Sequence, residues 1–124
     1  MDRNGLKKYI LDTYGIGSDR PWAKYPDNEV FRHDINRKWF ALVMAIPKSK
    51  LGIMGNGSVD GVNLKCDPLM AGSLRQNTGI FPAYHMNKNS WITAVLDGSV
   101  PDDLLKMLID MSYEATSPKI IKRR

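Results

Sequence analysis

From Trp91 to Tyr113 the chain reads WITAVLDGSVPDDLLKMLIDMSY, and this stretch decides what kind of fold the remainder can join. Trp91 to Leu96 is rich in β-branched and aromatic residues, and Asp97-Gly98 closes it with a turn, so it predicts a strand. Ser99 stands three residues before Asp102 in a capping pattern, and Pro101 falls in the first turn, where its missing N–H costs nothing; a helix therefore follows at once. Leu104, Leu108, Met111 and Ala115 recur at spacings of 4, 3 and 4, with Leu105 and Ser112 beside them, until Ser117-Pro118 ends the helix. A helix with one apolar stripe, joined to a strand by a short link, must lie back over the sheet that the strand enters.

The upstream chain supplies that sheet. Residues 2 to about 14 predict a first helix, capped by Asp2 or Asn4, with Leu6, Tyr9, Ile10 and Tyr14 near one face and Gly15 and Gly17 stopping it. Residues 18 to 28 read as a loop anchored by Trp22 and Tyr25. Glu29 to His33 and Lys38 to Ile46 predict an antiparallel pair around the turn Asp34 to Arg37. Strict alternation puts Phe40, Leu42, Met44 and Ile46 on one face of the second strand and Trp39, Ala41, Val43 and Ala45 on the other, so both faces call for cover. Pro47 to Ser58 reads as a mobile hairpin connection. Its Gly52-Ile53-Met54-Gly55 has the letters of a nucleic-acid clamp but lies between strands, and it lacks the Gly-Lys-Ser/Thr ending of a phosphate loop.

Val59 to Cys66 alternates, with Val62, Leu64 and Cys66 on a core side and Gly61, Asn63 and Lys65 on an open face. Asp67-Pro68 caps a second helix from Leu69 to about Gln76, on which Met70 and Leu74 share an apolar face. Ile80 to Tyr84 is a short strand that Pro82 confines to an edge or bulge. The predicted fold class is α+β: a two-layer sandwich ordered α-β(3)-α-β(2)-α, an antiparallel sheet with helices packed on one face.

The formal charge of +5 is unevenly spread. Lys119 to Arg124 holds four of the 18 basic residues and no acid, which leaves positions 1 to 118 with 14 basic against 13 acidic groups. We expect a single domain over 1–118 and a flexible basic tail over 119–124. No run approaches the roughly 20 apolar residues of a membrane helix, and the charged N-terminus is unlike a signal peptide, so a cytoplasmic protein without membrane contact is expected. Cys66 is the one cysteine and has no metal-ligand spacing around it; it reads as a small buried hydrophobe.

Tyr84-His85-Met86-Asn87-Lys88, Trp91, Leu96-Asp97-Gly98, Pro101 and Ser112-Tyr113 together resemble the MmcQ/YjbR family of small bacterial proteins. The likeness extends back through Leu64-Lys65-Cys66-Asp67-Pro68, Leu74-Arg75, Val30-Phe31-Arg32 and Lys38-Trp39-Phe40-Ala41-Leu42, covering roughly residues 20 to 117. The resemblance implies a fold of the secretion-chaperone-like or CyaY-like kind and a DNA-binding role resting on a proposed double-wing shape. It implies no reaction.

The residues themselves predict no catalytic centre, metal site or cofactor. His33 reads as a satisfied strand histidine; His85 lies in a polar turn, but neither Cys66 nor any serine has a nucleophile's context. Asp97, Asp102 and Asp103 are explained by the helix start they flank, without an ion. What remains is an aromatic and basic constellation: Lys65, His85, Lys88 and Trp91 on the body, with Lys119, Lys122, Arg123 and Arg124 in the tail, as candidates for nucleic-acid binding. Bases stack on exposed tryptophan while lysines hold phosphates. The competing reading makes Trp91 core and Lys88 a tie for its loop. The competing partner is a protein chain, another or a second copy of this one, docked on an apolar patch of Trp39, Ala41 and Val43.

Overall fold

The computed structural model describes residues 1–118, so the tail candidates Lys119, Lys122, Arg123 and Arg124 lie outside the described residues. The elements are α1 (Arg3–Tyr14), β1 (Glu29–Arg32), β2 (Trp39–Pro47), a 3-10 turn (Lys48–Leu51), β3 (Ser58–Lys65), α2 (Pro68–Leu74), β4 (Ile80–Pro82), β5 (Trp91–Val95) and α3 (Asp102–Thr116). The five strands form one sheet in the order β1-β2-β3-β5-β4, and every neighbouring pair is antiparallel. This is the expected α+β layering. Leu6 and Ile10 of α1, Ala71 and Leu74 of α2, and Leu105, Leu108 and Ile109 of α3 converge with Phe31, Val62, Leu64 and Ile92 of the sheet in one core.

The helix ends follow local chemistry. The Asp2 carboxylate accepts from the Gly5 N–H at 2.8 Å and Gly15 closes α1 at φ 70°, while Asp67 caps α2 by accepting from the Leu69 N–H at 2.9 Å. The start of α3 departs from expectation. Pro101 is its cap residue and no side chain caps it, because Ser99 turns its N–H and hydroxyl back to the Asp97 carboxylate at 2.9 and 2.6 Å. A nearer carboxylate outcompetes the helix for the serine. The buried stripe of α3 is Leu105, Leu108, Ile109, Ser112 and Thr116, rotated from the expected one, so that Leu104 and Met111 lie at its margin and Ala115 is exposed.

The largest departure is a β-bulge. Phe31 pairs with Ala41 but Arg32 pairs with Trp39, leaving Phe40 without an opposite residue. A bulge breaks the two-residue alternation. Phe40 and Ala41 therefore both enter the core beneath the helices, while Trp39 crosses to the opposite face beside Leu42, Met44 and Ile46. Ala41 and Val43 are fully buried on the helix side, so the expected patch of Trp39, Ala41 and Val43 does not form. The expected open face of β3 is also covered: Gly61 and Asn63 are buried, and a Cβ on Gly61 would come within 2.8 Å of Ile46 Cδ1.

Ser112 of α3 extends the link between β2 and β3 beyond the end of their ladder. Its hydroxyl accepts from the Lys65 N–H at 2.8 Å and donates to the Phe40 carbonyl at 2.5 Å, bridging β3 and β2 just past their last paired residues, Ala41 and Leu64. The connection from β2 to β3 has its own order: the Lys48 N–H donates to Gly57 O at 3.0 Å, and Leu51 packs on the helix-free face.

Candidate functional site

The helices leave one face of the sheet free, and the bulge turns Trp39 onto it. Arg32 lies over the Trp39 ring at 5.9 Å and Lys65 over the Trp91 ring at 5.7 Å. Both are cross-strand partners in register, Arg32 with Trp39 and Lys65 with Trp91. Cations and tryptophans thus alternate across β1, β2, β3 and β5. Asp19 holds Arg32 by an ion pair at 3.2 Å and approaches Arg37 at 3.6 Å. Lys38, Trp39, Lys65 and Trp91, with Ala115 and Thr116 at the end of α3, line a cavity of about 290 Å³.

Trp91 is only 9% exposed, which makes it largely structural, whereas Trp39 and Lys65 keep intermediate exposure. An aromatic wall flanked by three cations matches an anionic ligand that has flat apolar faces.

On the other side of Trp39 a second cavity of about 460 Å³ lies between the 18–28 loop, β2 and the turn after β4. Trp22 meets Trp39 edge-on, with ring centroids 5.5 Å apart and planes at 88°. Leu42 and Met44 form its floor, and Tyr84, His85 and Met86 its far wall. Trp22 is therefore an anchor of its loop, but Tyr25, expected to be one as well, is 55% exposed.

A buried polar bridge fixes that far wall. The Asn63 side-chain amide donates to Tyr84 O at 2.8 Å, the Tyr84 N–H donates to Thr93 Oγ1 at 2.9 Å, and the Thr93 hydroxyl donates to Asn63 Oδ1. Asn63 and Thr93 are both fully buried, and this closed set satisfies them. Next to the brace, His85 is exposed in the left-handed region at φ 60°, with its ring centroid 3.9 Å from that of Tyr84.

The structure thus brings Lys65 and Trp91 into contact and sets His85 at the neighbouring cavity. Lys88 stands apart: its side chain is exposed and lines neither cavity, while its carbonyl accepts from Arg75 at 2.7 Å. Arg32, Lys38 and Trp22 are candidate site residues that sequence reasoning missed, and Trp39, expected in a protein-docking patch, joins them here. The signal for Arg32 and Trp39 lay in their places on either side of the turn at residues 34–37, but only the bulge gives them a common face.

The other polar clusters have structural roles. Ion pairs from Lys7 at 2.7 Å and Arg3 at 3.1 Å, with the Ser18 hydroxyl at 2.7 Å, surround buried Glu29. Burial alone would raise its carboxyl, but these hydrogen bonds outweigh it and hold the pKa down at about 2. Burial lowers the pKa of His33, whose Nε2 is 2.8 Å from Thr116 Oγ1. The Thr116 hydroxyl proton goes to Ser112 O, so the neutral imidazole is the donor in that contact. Cys66 is buried as expected, and burial pushes its thiol up, away from thiolate chemistry. Among the described residues no three His, Cys, Asp or Glu side chains stand close enough to share a metal ion, and no helix is long and apolar enough to cross a membrane.

Comparison with known proteins places this geometry among relatives. The family model described as YjbR matches residues 11–115. A Bacillus subtilis (strain 168) protein, uncharacterized and named YyaQ, is 39% identical over 116 residues, spanning 94% of this chain and 98% of its own. A crystal structure of a Pseudomonas syringae protein superposes with a TM-score of 0.92 at 45% identity, covering 94% of this chain and 100% of that one. A Deinococcus radiodurans protein, DR2400, with a domain of the family model DUF419, is similar at a TM-score of 0.68 and 28% identity, over 90% of this chain and 75% of its own.

Proposed function

The chain belongs to the YjbR family, and from that membership we propose that it is a non-enzymatic DNA-binding protein whose contact surface is the helix-free face around Trp39. One observation carries the reading: two cross-strand cation–tryptophan pairs, Arg32 with Trp39 and Lys65 with Trp91, whose Trp39, Lys65 and Trp91 line one cavity together with Lys38. Guanidinium and ammonium groups fixed over indole rings meet phosphate oxygens with little further ordering, and a half-exposed indole accepts a base by stacking. Lys38 and Lys65 line the cavity without an acid among its lining residues, while Arg32 is already paired with Asp19. The tail adds sequence-independent attraction, since Lys119 follows Thr116, which lines the cationic cavity, by only three positions.

The test is a titration of labelled single-stranded and duplex DNA at two salt concentrations, with the intact chain, Lys65→Ala and a chain lacking residues 119–124. Affinity that falls steeply with salt, falls further in Lys65→Ala and survives tail removal supports the reading. No binding at low salt, or binding abolished by tail removal and indifferent to Lys65, overturns it.

A further inference from the structure

The 460 Å³ cavity on the far side of Trp39 is within the size range of preformed small-molecule sites and has no part in holding the main core. We infer that it seats one unstacked nucleobase of a single-stranded nucleic acid, the attached phosphates lying on Lys38 and Lys65 across Trp39; this deepens the DNA reading and rests on it.

The chemistry of the walls points to a flat heterocycle. Trp22 and Trp39 stand at 88° to one another, so a planar ring stacked on one presents its edge to the other, the favoured contact for both. Tyr84 closes the opposite side, and Met44 and Met86 supply polarizable sulfur that adapts to a ring edge. Polar groups stand at the margin: Asn28, the Tyr25 hydroxyl and the His85 imidazole offer donors and acceptors to a base's edge.

His85 is the second observation. A non-glycine residue at φ 60° is disfavoured, and it is held there because Asn63 and Thr93 grip both backbone groups of Tyr84. Three hydrogen bonds, one of them fully buried, hold the backbone that presents one exposed imidazole beside a cavity. Backbone strain of this kind gathers where a ligand is gripped.

Trp39 is shared by this cavity and the cationic one, so a base in the first leaves its phosphates beside the second. A paired base cannot reach a cavity walled by two loops without leaving its stack, so single strands are the matching substrate class.

The experiment is an NMR titration of the full chain, at low salt, with oligothymidylate about ten nucleotides long and with a GC-rich duplex of about twelve base pairs, which stays paired under these conditions. The readouts are the Trp22 and Trp39 indole N–H signals and the Met44 and Met86 methyl signals. We expect all four to move with the single strand and Trp22 and Met86 to stay put with the duplex. Trp22→Ala should weaken single-strand binding roughly five- to 150-fold, the worth of one stacked base, without lowering the salt slope, because no phosphate contact is removed. Should Trp22→Ala misfold, His85→Asn serves instead: asparagine tolerates the left-handed region, so the fold persists while single-strand affinity drops. A shift confined to Trp39, which the cationic cavity shares, with Trp22, Met44 and Met86 unmoved, would overturn the base site and leave DNA binding standing. An absence of any shift at low salt would overturn both.

Discussion

Ser112 donates its hydroxyl to the carbonyl of Phe40, 72 residues earlier in the chain, just past the point where the pairing of β2 with β3 ends at Ala41 and Leu64. The same oxygen accepts from the Lys65 N–H, so one side chain on α3 closes the gap between two strands and sets the orientation of the residues on either side of it. Trp39 and Lys65, the half-buried parts of the candidate site, are those residues.

Ser112→Ala is therefore expected to cost on the order of 2 kcal/mol, more than an ordinary neutral hydrogen bond, because two backbone groups lose their partner in one change. Urea unfolding measures the loss. Hydrogen exchange at the Lys65 amide should accelerate beyond the global effect, and unchanged protection there would show that the bridge is dispensable.

The tryptophans of the two pairs should separate stability from binding. Trp91 is 9% exposed, so Trp91→Ala should destabilise by about 3 to 5 kcal/mol and leave a poorly folded chain. Trp39→Ala, at a partly exposed site, should fold with a smaller loss and abolish tryptophan-dependent DNA binding. Denaturation midpoints and a DNA titration on the same samples decide; a fully stable Trp91→Ala would contradict the assignment.

The lysines should differ in the same assay. Lys65 lies in the cationic cavity, whereas Lys88 lines neither cavity. Lys65→Ala is expected to reduce the slope of log affinity against log salt by about 0.7 to 0.9, the share of one phosphate, and Lys88→Ala to leave it unchanged. The reverse result would move the contact surface to the 85–90 turn.

Stability should fall in acid in two stages. His33 has a folded pKa below its ordinary value because it is buried, so its contribution is complete above about pH 6.5 and is lost as pH falls through the folded value. Glu29, held at about 2, contributes on the order of 3 kcal/mol that is complete above about pH 4.3 and is lost as pH approaches 2. Urea midpoints at pH 7, 5 and 3 should decline in that order. His33→Gln should flatten the first stage alone, and equal midpoints at pH 7 and 3 would count against both assignments.

Much of this was legible in the residues. The element order, the caps at Asp2 and Asp67 and the burial of Cys66 follow from periodicity and turn chemistry, which act over a few neighbouring residues. Lys65 and Trp91 were readable as site candidates because both lie on regular strands, where alternation assigns the face. Ser99 misled for an equally local reason: Asp97, two residues away, is a stronger acceptor for its hydroxyl than the helix end is a donor.

The sequence by itself determined the layers of this protein, through the apolar stripes and the alternating strands. It also determined kinship, through the motifs around Tyr84 to Lys88 and Leu64 to Pro68. Only the tertiary structure decided which aromatic and basic residues share a surface. The cause is the single unpaired residue Phe40: a period-two pattern carries no record of a slip, and one slip sends Trp39 to the helix-free face and Phe40 into the core. The Ser112 hydroxyl then ties the Phe40 carbonyl to α3, and that contact between residues 40 and 112 exists only once helix and sheet have packed.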